Sequence, residues 1–147
     1  MSIHSHTRLL IHLIWSTHKH EKLINSKFRI LLNEFLSKYS QDHSFGLVTS
    51  YVNADHLHAL IDMPADQSVA SIVKLLKGAS SRWINQQEEQ GRKFSWGRGY
   101  GAFSVSESNI KSVIRYIGNQ EEHHLRKNYK EEFDLFLHNY QVDSGNR

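Results

Sequence analysis

The sequence predicts an α+β protein, an antiparallel sheet of about four to five strands flanked by helices. Three patterns carry this prediction. Leu9–Trp15 is a short apolar run broken only by His12, as in a strand covered on both faces, and apolar residues alternate through Leu57–Met63, the two-residue period of strands. They recur at three- and four-residue steps through Phe28–Tyr39 and Val69–Ile84, the period of amphipathic helices. Only one proline and eight glycines occur in 147 residues, so no long linker divides the chain. One domain over residues 1–147 is expected, with a core over about 7–141 and mobile ends.

The first strand lies in Thr7–Thr17. Leu9, Ile11, Leu13 and Trp15 form one face; Leu10, His12, Ile14 and Ser16 form the other. Both faces are largely apolar, which predicts a central position in the sheet. His12 either lies near a site across the sheet or sits in the core with a backbone partner; the second reading is preferred. A helix follows from about Ser26, taken as N-cap, to Ser40–Asp42. Phe45–Asn53 is the second strand, and a turn at Ala54-Asp55 makes a hairpin with the strand ending at Pro64. Asp66 or Ser68 caps the next helix, whose inward stripe is Val69, Ile72, Val73, Leu76, Ser80, Trp83 and Ile84. Ala102–Ser106 is the fourth strand. Ser106 then caps a helix with Ile110, Val113, Ile114 and Ile117 inward. A last helix within Glu121–Tyr140 carries Tyr129, Phe133, Phe136, Leu137 and Tyr140.

Composition narrows the chemistry. The chain has no cysteine, which excludes thiol catalysis, disulfides and cysteine-held zinc or iron–sulfur sites. No apolar run approaches the roughly 20 residues of a membrane helix. Leu9–Trp15 is too short for a signal segment and is broken by His12. A cytoplasmic protein without a membrane partner is expected. A net charge of +3 is mildly basic and compatible with nucleic acid.

The candidate site begins at Asp55-His56-Leu57-His58. On a strand, His56 and His58 point to the same face, where two imidazoles can converge on one ion. Strand histidines bonded to backbone groups are the competing reading. A second His-x-His, His4–His6, lies near the start of the chain and has no such setting. On the long helix, Lys74, Lys77 and Ser81 share a flank beside Gly78 and Ala79, and small residues beside lysines let a phosphate backbone approach. Phe94–Ser106 interleaves aromatics with glycines and Arg98. Such a segment can stack unpaired bases or close a sheet edge. Tyr116 and Gln120 lie one helical turn apart. A rim tyrosine with its hydroxyl in water is the ordinary reading of Tyr116.

Three features then stand in order: Asp55-His56-Leu57-His58, Lys77-Gly78-Ala79-Ser80-Ser81, and Tyr116-Ile117-Gly118-Asn119-Gln120. Together they resemble the single-tyrosine HUH transposases, the insertion-sequence 200/605 type and their REP-associated relatives. The resemblance spans about Leu9 to His124. It implies a ferredoxin-like fold with a C-terminal tyrosine-bearing helix, in agreement with the element order above. It implies cleavage and rejoining of single-stranded DNA through a 5′-phosphotyrosine, with hairpin recognition. It assigns Tyr116 as nucleophile and His56, His58 and Gln120 as ligands of Mg2+ or Mn2+. It also implies a homodimer, in which the tyrosine helix is exchanged in mobile members. Expected DNA contacts are Lys74, Lys77, Ser81, Arg98, Tyr100 and Arg115. His123, His124, Arg126 and Lys127 either add to them or belong to a solvated helix. Asp55 either supports the site as an outer-shell acceptor or is a turn residue.

Two other functions compete. A non-catalytic or domesticated single-stranded nucleic-acid binding protein of the same fold needs only the basic flanks and aromatics. A metal-dependent phosphoesterase for small molecules needs further acidic ligands, and Asp55 and Asp62 are the only acids the sequence offers near the histidines.

Overall fold

A computed structural model describes residues 5–87, 91–120 and 128–140. Four strands form the sheet: β1 (Leu10–Ser16), β2 (Gly46–Val52), β3 (His56–Asp62) and β4 (Gly101–Ser104). Their spatial order is β2-β3-β1-β4 and every pairing is antiparallel. The helices are α1 (Ser26–Asp42), α2 (Val69–Asn85), α3 (Ile110–Gly118) and α4 (Tyr129–Asn139). Through β4 the order is strand-helix-strand-strand-helix-strand, the ferredoxin-like topology expected. β1 and β3 are central, as their doubly apolar faces require.

The alternation of β1 and β3 divides the molecule into three layers. Leu13, Trp15, Leu57, Ala59 and Ile61 face α1 and α2, where they join Phe28, Leu32, Leu36, Ile72, Val73 and Leu76 in the main core. The opposite face is covered by α3 and α4. Leu10 and Leu60 pack with Ile117 there, and Ile14 and Phe103 pack with Tyr129.

Local chemistry sets the element ends. Asn25, not Ser26, caps α1: its side chain accepts the Phe28 N–H at 2.8 Å. An N-cap lies outside the helix it closes, and Ser26 is already the first helical residue. Ser68 caps α2 by accepting from Ser71 N at 3.0 Å. Ser106 makes no cap bond to backbone; it precedes a single 3-10 turn, Glu107–Asn109, and its hydroxyl meets that of Ser108. Ile114 is 37% exposed, so the inward stripe of α3 is narrower than its sequence pattern. The last helix begins at Tyr129, with Asn128 accepting from Glu131 N. The expectations for residues 121–127 and for both chain ends lie outside the described residues.

The glycine-aromatic segment splits between core and surface. Phe94 is buried, clamped by two hydrogen bonds to the Asn85 side chain. Trp96 Nε1 donates to Ser80 Oγ at 2.8 Å. Arg98 and Tyr100 stay exposed. Lys77 Nζ donates to the carbonyls of Gly97 and Gly99, fastening their loop to α2.

Candidate metal centre and nucleophile

Strand register brings the histidines under α4. Ser16 stands opposite His56 and Ile14 opposite His58, and residues opposite each other share a face. Both imidazoles are completely buried. Their partners are side chains rather than the backbone groups of the competing reading. His56 Nδ1 lies 2.7 Å from Asp55 Oδ1. A carboxylate only accepts, so His56 donates from Nδ1. Asp55, in the turn before β3, is thus the acceptor of that hydrogen bond. His58 Nδ1 lies 2.8 Å from His12 Nε2. His12 thus has a side-chain partner, contrary to expectation: it sits diagonally across the sheet from His58, one pair along from their direct opposites.

With Nδ1 engaged on both rings, the Nε2 atoms turn towards Glu132 on α4. His58 Nε2 is 3.0 Å from Oε1, and His56 Nε2 is 3.5 Å from Oε2. Asn53 Nδ2 comes within 3.2 Å of His56 Nε2. One ligand atom from each of His56, His58 and Glu132 lies within 4.8 Å of the others. Tyr116 completes the cluster. Its hydroxyl donates to Glu132 Oε1, and its ring is 5.8 Å from that of His58. The hydroxyl thus has a protein partner, unlike that of an ordinary rim tyrosine. Gln120 is fully buried one turn on, and its Nε2 donates to the Tyr116 carbonyl at 3.1 Å.

The electrostatics follow from this crowding. Burial alone would raise the Glu132 carboxyl. The nearby imidazoles of His56 and His58, and the hydrogen bond from Tyr116, outweigh it and hold the group well below the usual carboxylate range. Burial pushes the Tyr116 phenol well above its ordinary value, and the Glu132 hydrogen bond and charge push the same way. Burial, then the neighbouring His58, lowers His12 to about 3, so it is neutral at pH 7. For His56, burial acts downward, but Asp55 and Glu132 together raise it. Two imidazole nitrogens and a carboxylate form a donor set that fits a divalent cation. Each histidine also has the outer partner at Nδ1 that metal-binding imidazoles use for orientation.

The family described as "Transposase IS200 like" matches residues 5–120, from the approach to β1 through Gln120. The chain belongs to the IS200-like transposase family. Transposases cleave DNA, and this chain is an enzyme of that class. The ISDra2 transposase TnpA of Deinococcus radiodurans is 27% identical over 118 residues, covering 77% of this chain and 84% of the relative. The transposase for insertion sequence element IS200 of Salmonella typhimurium is 27% identical over 124 residues, covering 79% and 80%. A crystal structure from Deinococcus radiodurans R1, described as a candidate transposase, superposes with a TM-score of 0.61 at 26% identity. It covers 82% of this chain and 96% of its own. A REP-associated tyrosine transposase, solved bound to a REP hairpin, has a TM-score of 0.60 at 14% identity, covering 84% and 74%; it shares the fold.

Glu132 lies beyond the matched residues and was missed in the sequence. Its signal is nevertheless there. It falls three residues after Tyr129 and four before Phe136, inside the apolar stripe of α4. An acid on a buried helix face needs a partner. It also supplies an acidic group beside the histidines that Asp62 does not: Asp62, at the far end of β3, binds Arg8 and the Leu9 N–H.

The expected DNA contacts fall into two surface grooves and one separate point. Lys74, Lys77, Ser81 and Tyr100 line a groove of about 570 Å³ between α2 and the glycine loop. Arg98 and Tyr100 line a second groove against α4. Arg115 is exposed on α3, outside both, with Nη2 3.4 Å from Ser112 Oγ.

Proposed function

We propose that this transposase cuts and rejoins single-stranded DNA with Tyr116 as nucleophile and His56, His58 and Glu132 as metal ligands. Gln120, one turn from Tyr116, is proposed to add its amide oxygen to that set. The supporting observation is the convergence of Tyr116 Oη and both His Nε2 atoms on the two oxygens of Glu132. The phenol oxygen forms a bond to phosphorus, and the bond from phosphorus to the 3′ oxygen breaks. The products are a 5′-phosphotyrosine and a 3′-hydroxyl, so reversal rejoins the strand without another energy source. Glu132, to which Tyr116 already donates, holds the phenol in place; the phenol proton leaves to water and the departing 3′ oxygen takes one up from water. A tyrosine with its ordinary pKa of about 10 is a weak nucleophile at neutral pH. A bound divalent cation supplies polarisation of the phosphate oxygens and offsets the Glu132 charge.

Mg2+ or Mn2+ is the proposed ion. The donor set also suits zinc, which belongs in the same screen. Hairpin recognition is part of the proposal, supported by the fold shared with the hairpin-bound relative. A homodimer is proposed as a pairing of two complete centres. The test is a labelled hairpin-bearing single strand incubated with Mg2+. A covalent protein–DNA adduct is expected from the natural chain and none from Tyr116→Phe. His58→Ala should lose cleavage while keeping DNA binding. An adduct formed at full rate by Tyr116→Phe would remove Tyr116 from its assigned role.

A further inference from the structure

The two histidines of β3 differ in what stands behind them. His56 Nδ1 lies 2.7 Å from Asp55 Oδ1, and a carboxylate only accepts, so the Nδ1 proton of His56 is fixed. His58 Nδ1 lies 2.8 Å from His12 Nε2 instead. A neutral imidazole donates from one nitrogen and accepts at the other, so this contact can be made in two ways. Either His58 donates from Nδ1 and leaves its Nε2 bare, or His12 donates from Nε2 and His58 carries its proton on Nε2. His12 suits both parts. It is buried and held neutral by that burial, and no other hydrogen bond engages it among the described residues. Phe136 braces its ring edge-on at 5.0 Å. His12 also lines a cavity of about 380 Å³ between α3 and α4, which opens to solvent at the exposed residues Ser112 and Asn139.

We infer that His12 is a positioning residue for His58, and that the two rings exchange tautomers together when His58 becomes a metal ligand. The inference rests on the ligand role proposed for His58. Glu132 selects the arrangement without a cation. Its Oε1 is 3.0 Å from His58 Nε2, where a bare lone pair would face an ionised carboxylate and a proton is attracted by it. His58 Nδ1 then accepts from His12. A cation is held at Nε2 only when that nitrogen is bare, which demands the other arrangement. The change is balanced. The Nε2 proton of His58 leaves to water, and the Nε2 proton of His12 crosses the 2.8 Å contact to His58 Nδ1. His12 takes up a proton on Nδ1 from solvent reaching the α3–α4 cavity. Each ring keeps one proton and its charge. A carboxylate behind His58 would fix its proton on Nδ1, as Asp55 does for His56. An imidazole there lets His58 Nε2 face Glu132 in one state and a cation in the other.

The test uses the full natural chain with 15N-labelled histidine. Long-range nitrogen–proton spectra separate a protonated ring nitrogen from a bare one, and couplings to the carbon-bound ring protons tell Nδ1 from Nε2. Spectra of His12→Gln and His58→Ala assign the two rings. Without divalent metal, His12 and His58 should both carry the proton on Nε2. With Zn2+, a diamagnetic ion suited to imidazole nitrogen, both should carry it on Nδ1. His56 should keep its Nδ1 proton throughout. A His58 protonated on Nδ1 before Zn2+ is added would overturn the inference. So would a His12 tautomer that stays unchanged as His58 binds. Zn2+ that moves neither the His56 nor the His58 resonances would refute the ligand reading itself, and the exchange with it. Variants read the positioning directly. His12→Phe fills the space but leaves His58 Nδ1 without a partner, and should weaken Mn2+ binding about 10- to 100-fold in a spin-resonance titration of free Mn2+. His12→Gln, whose carboxamide both donates and accepts, should stay within about threefold of the natural chain. A His12 that only filled space would be replaced better by Phe than by Gln. Full affinity in His12→Phe, or equal losses in both variants, therefore refutes the positioning role.

Discussion

Glu132 is placed where one carboxylate meets Tyr116, His56 and His58, and these neighbours explain how a buried acid is tolerated. A lone buried carboxylate would protonate rather than remain charged. Here the Tyr116 hydroxyl and the two imidazole edges keep it ionised. The imidazoles in turn depend on their outer partners. If Asp55 orients His56 for metal, Asp55→Asn should lower Mn2+ affinity about 10- to 100-fold with little loss of fold. A spin-resonance titration of free Mn2+ measures this, and an unchanged affinity would return Asp55 to a simple turn role. At this scale the sequence revealed residues that form compact motifs. His56-Leu57-His58 and Tyr116 to Gln120 could be found because each pair is fixed by a single element's period. Glu132 and His12 could not be linked to them, since their relation depends on how α4 and β1 lie across the sheet.

The element that completes the centre is α4, and its seat depends on a residue with no side chain. A Cβ on Gly101 would approach Phe133 Cε2 to 2.7 Å, Phe103 Cε2 to 2.8 Å and Ile14 Cγ2 to 2.9 Å. Gly101→Ala should therefore push α4 off the sheet. Overpacking of this kind costs about 1–3 kcal/mol. Urea unfolding should show that loss, and Mn2+ affinity should fall with it because Glu132 travels with the helix. Retained Mn2+ affinity in a destabilised variant would separate α4 from the centre. The strands and long helices were legible because burial imposes their periods directly. Ends were less so: Asn25 and Ser26 are both good caps, and only the backbone decides between them. The aromatic-glycine segment divided between core and surface because its aromatics obey no single period. Phe94 and Trp96 are drawn in by Asn85 and Ser80, partners from a different element.

At the scale of the molecule, the sheet separates two tasks. One face, with α1 and α2, holds the main core; the other is left to the centre and the helices that close it. Tyr116 from α3, the histidines from β3 and Glu132 from α4 meet within one chain. If each chain completes its own centre, Tyr116→Phe and His58→Ala should fail to complement each other. Every molecule in a mixture of the two lacks one essential group, and mixing after partial unfolding and refolding should restore no adduct. Exchange of the tyrosine helix between subunits would give the opposite result. Random pairing would then make about a quarter of all centres intact, each taking its tyrosine from one variant and its histidines from the other. Adduct yield in the mixture distinguishes the two arrangements. Recovery towards that fraction would mean that the contact between Tyr116 and Glu132 is remade across a subunit boundary when the enzyme works. No recovery would mean that the ferredoxin-like sheet with its two extra helices is sufficient as a catalytic unit.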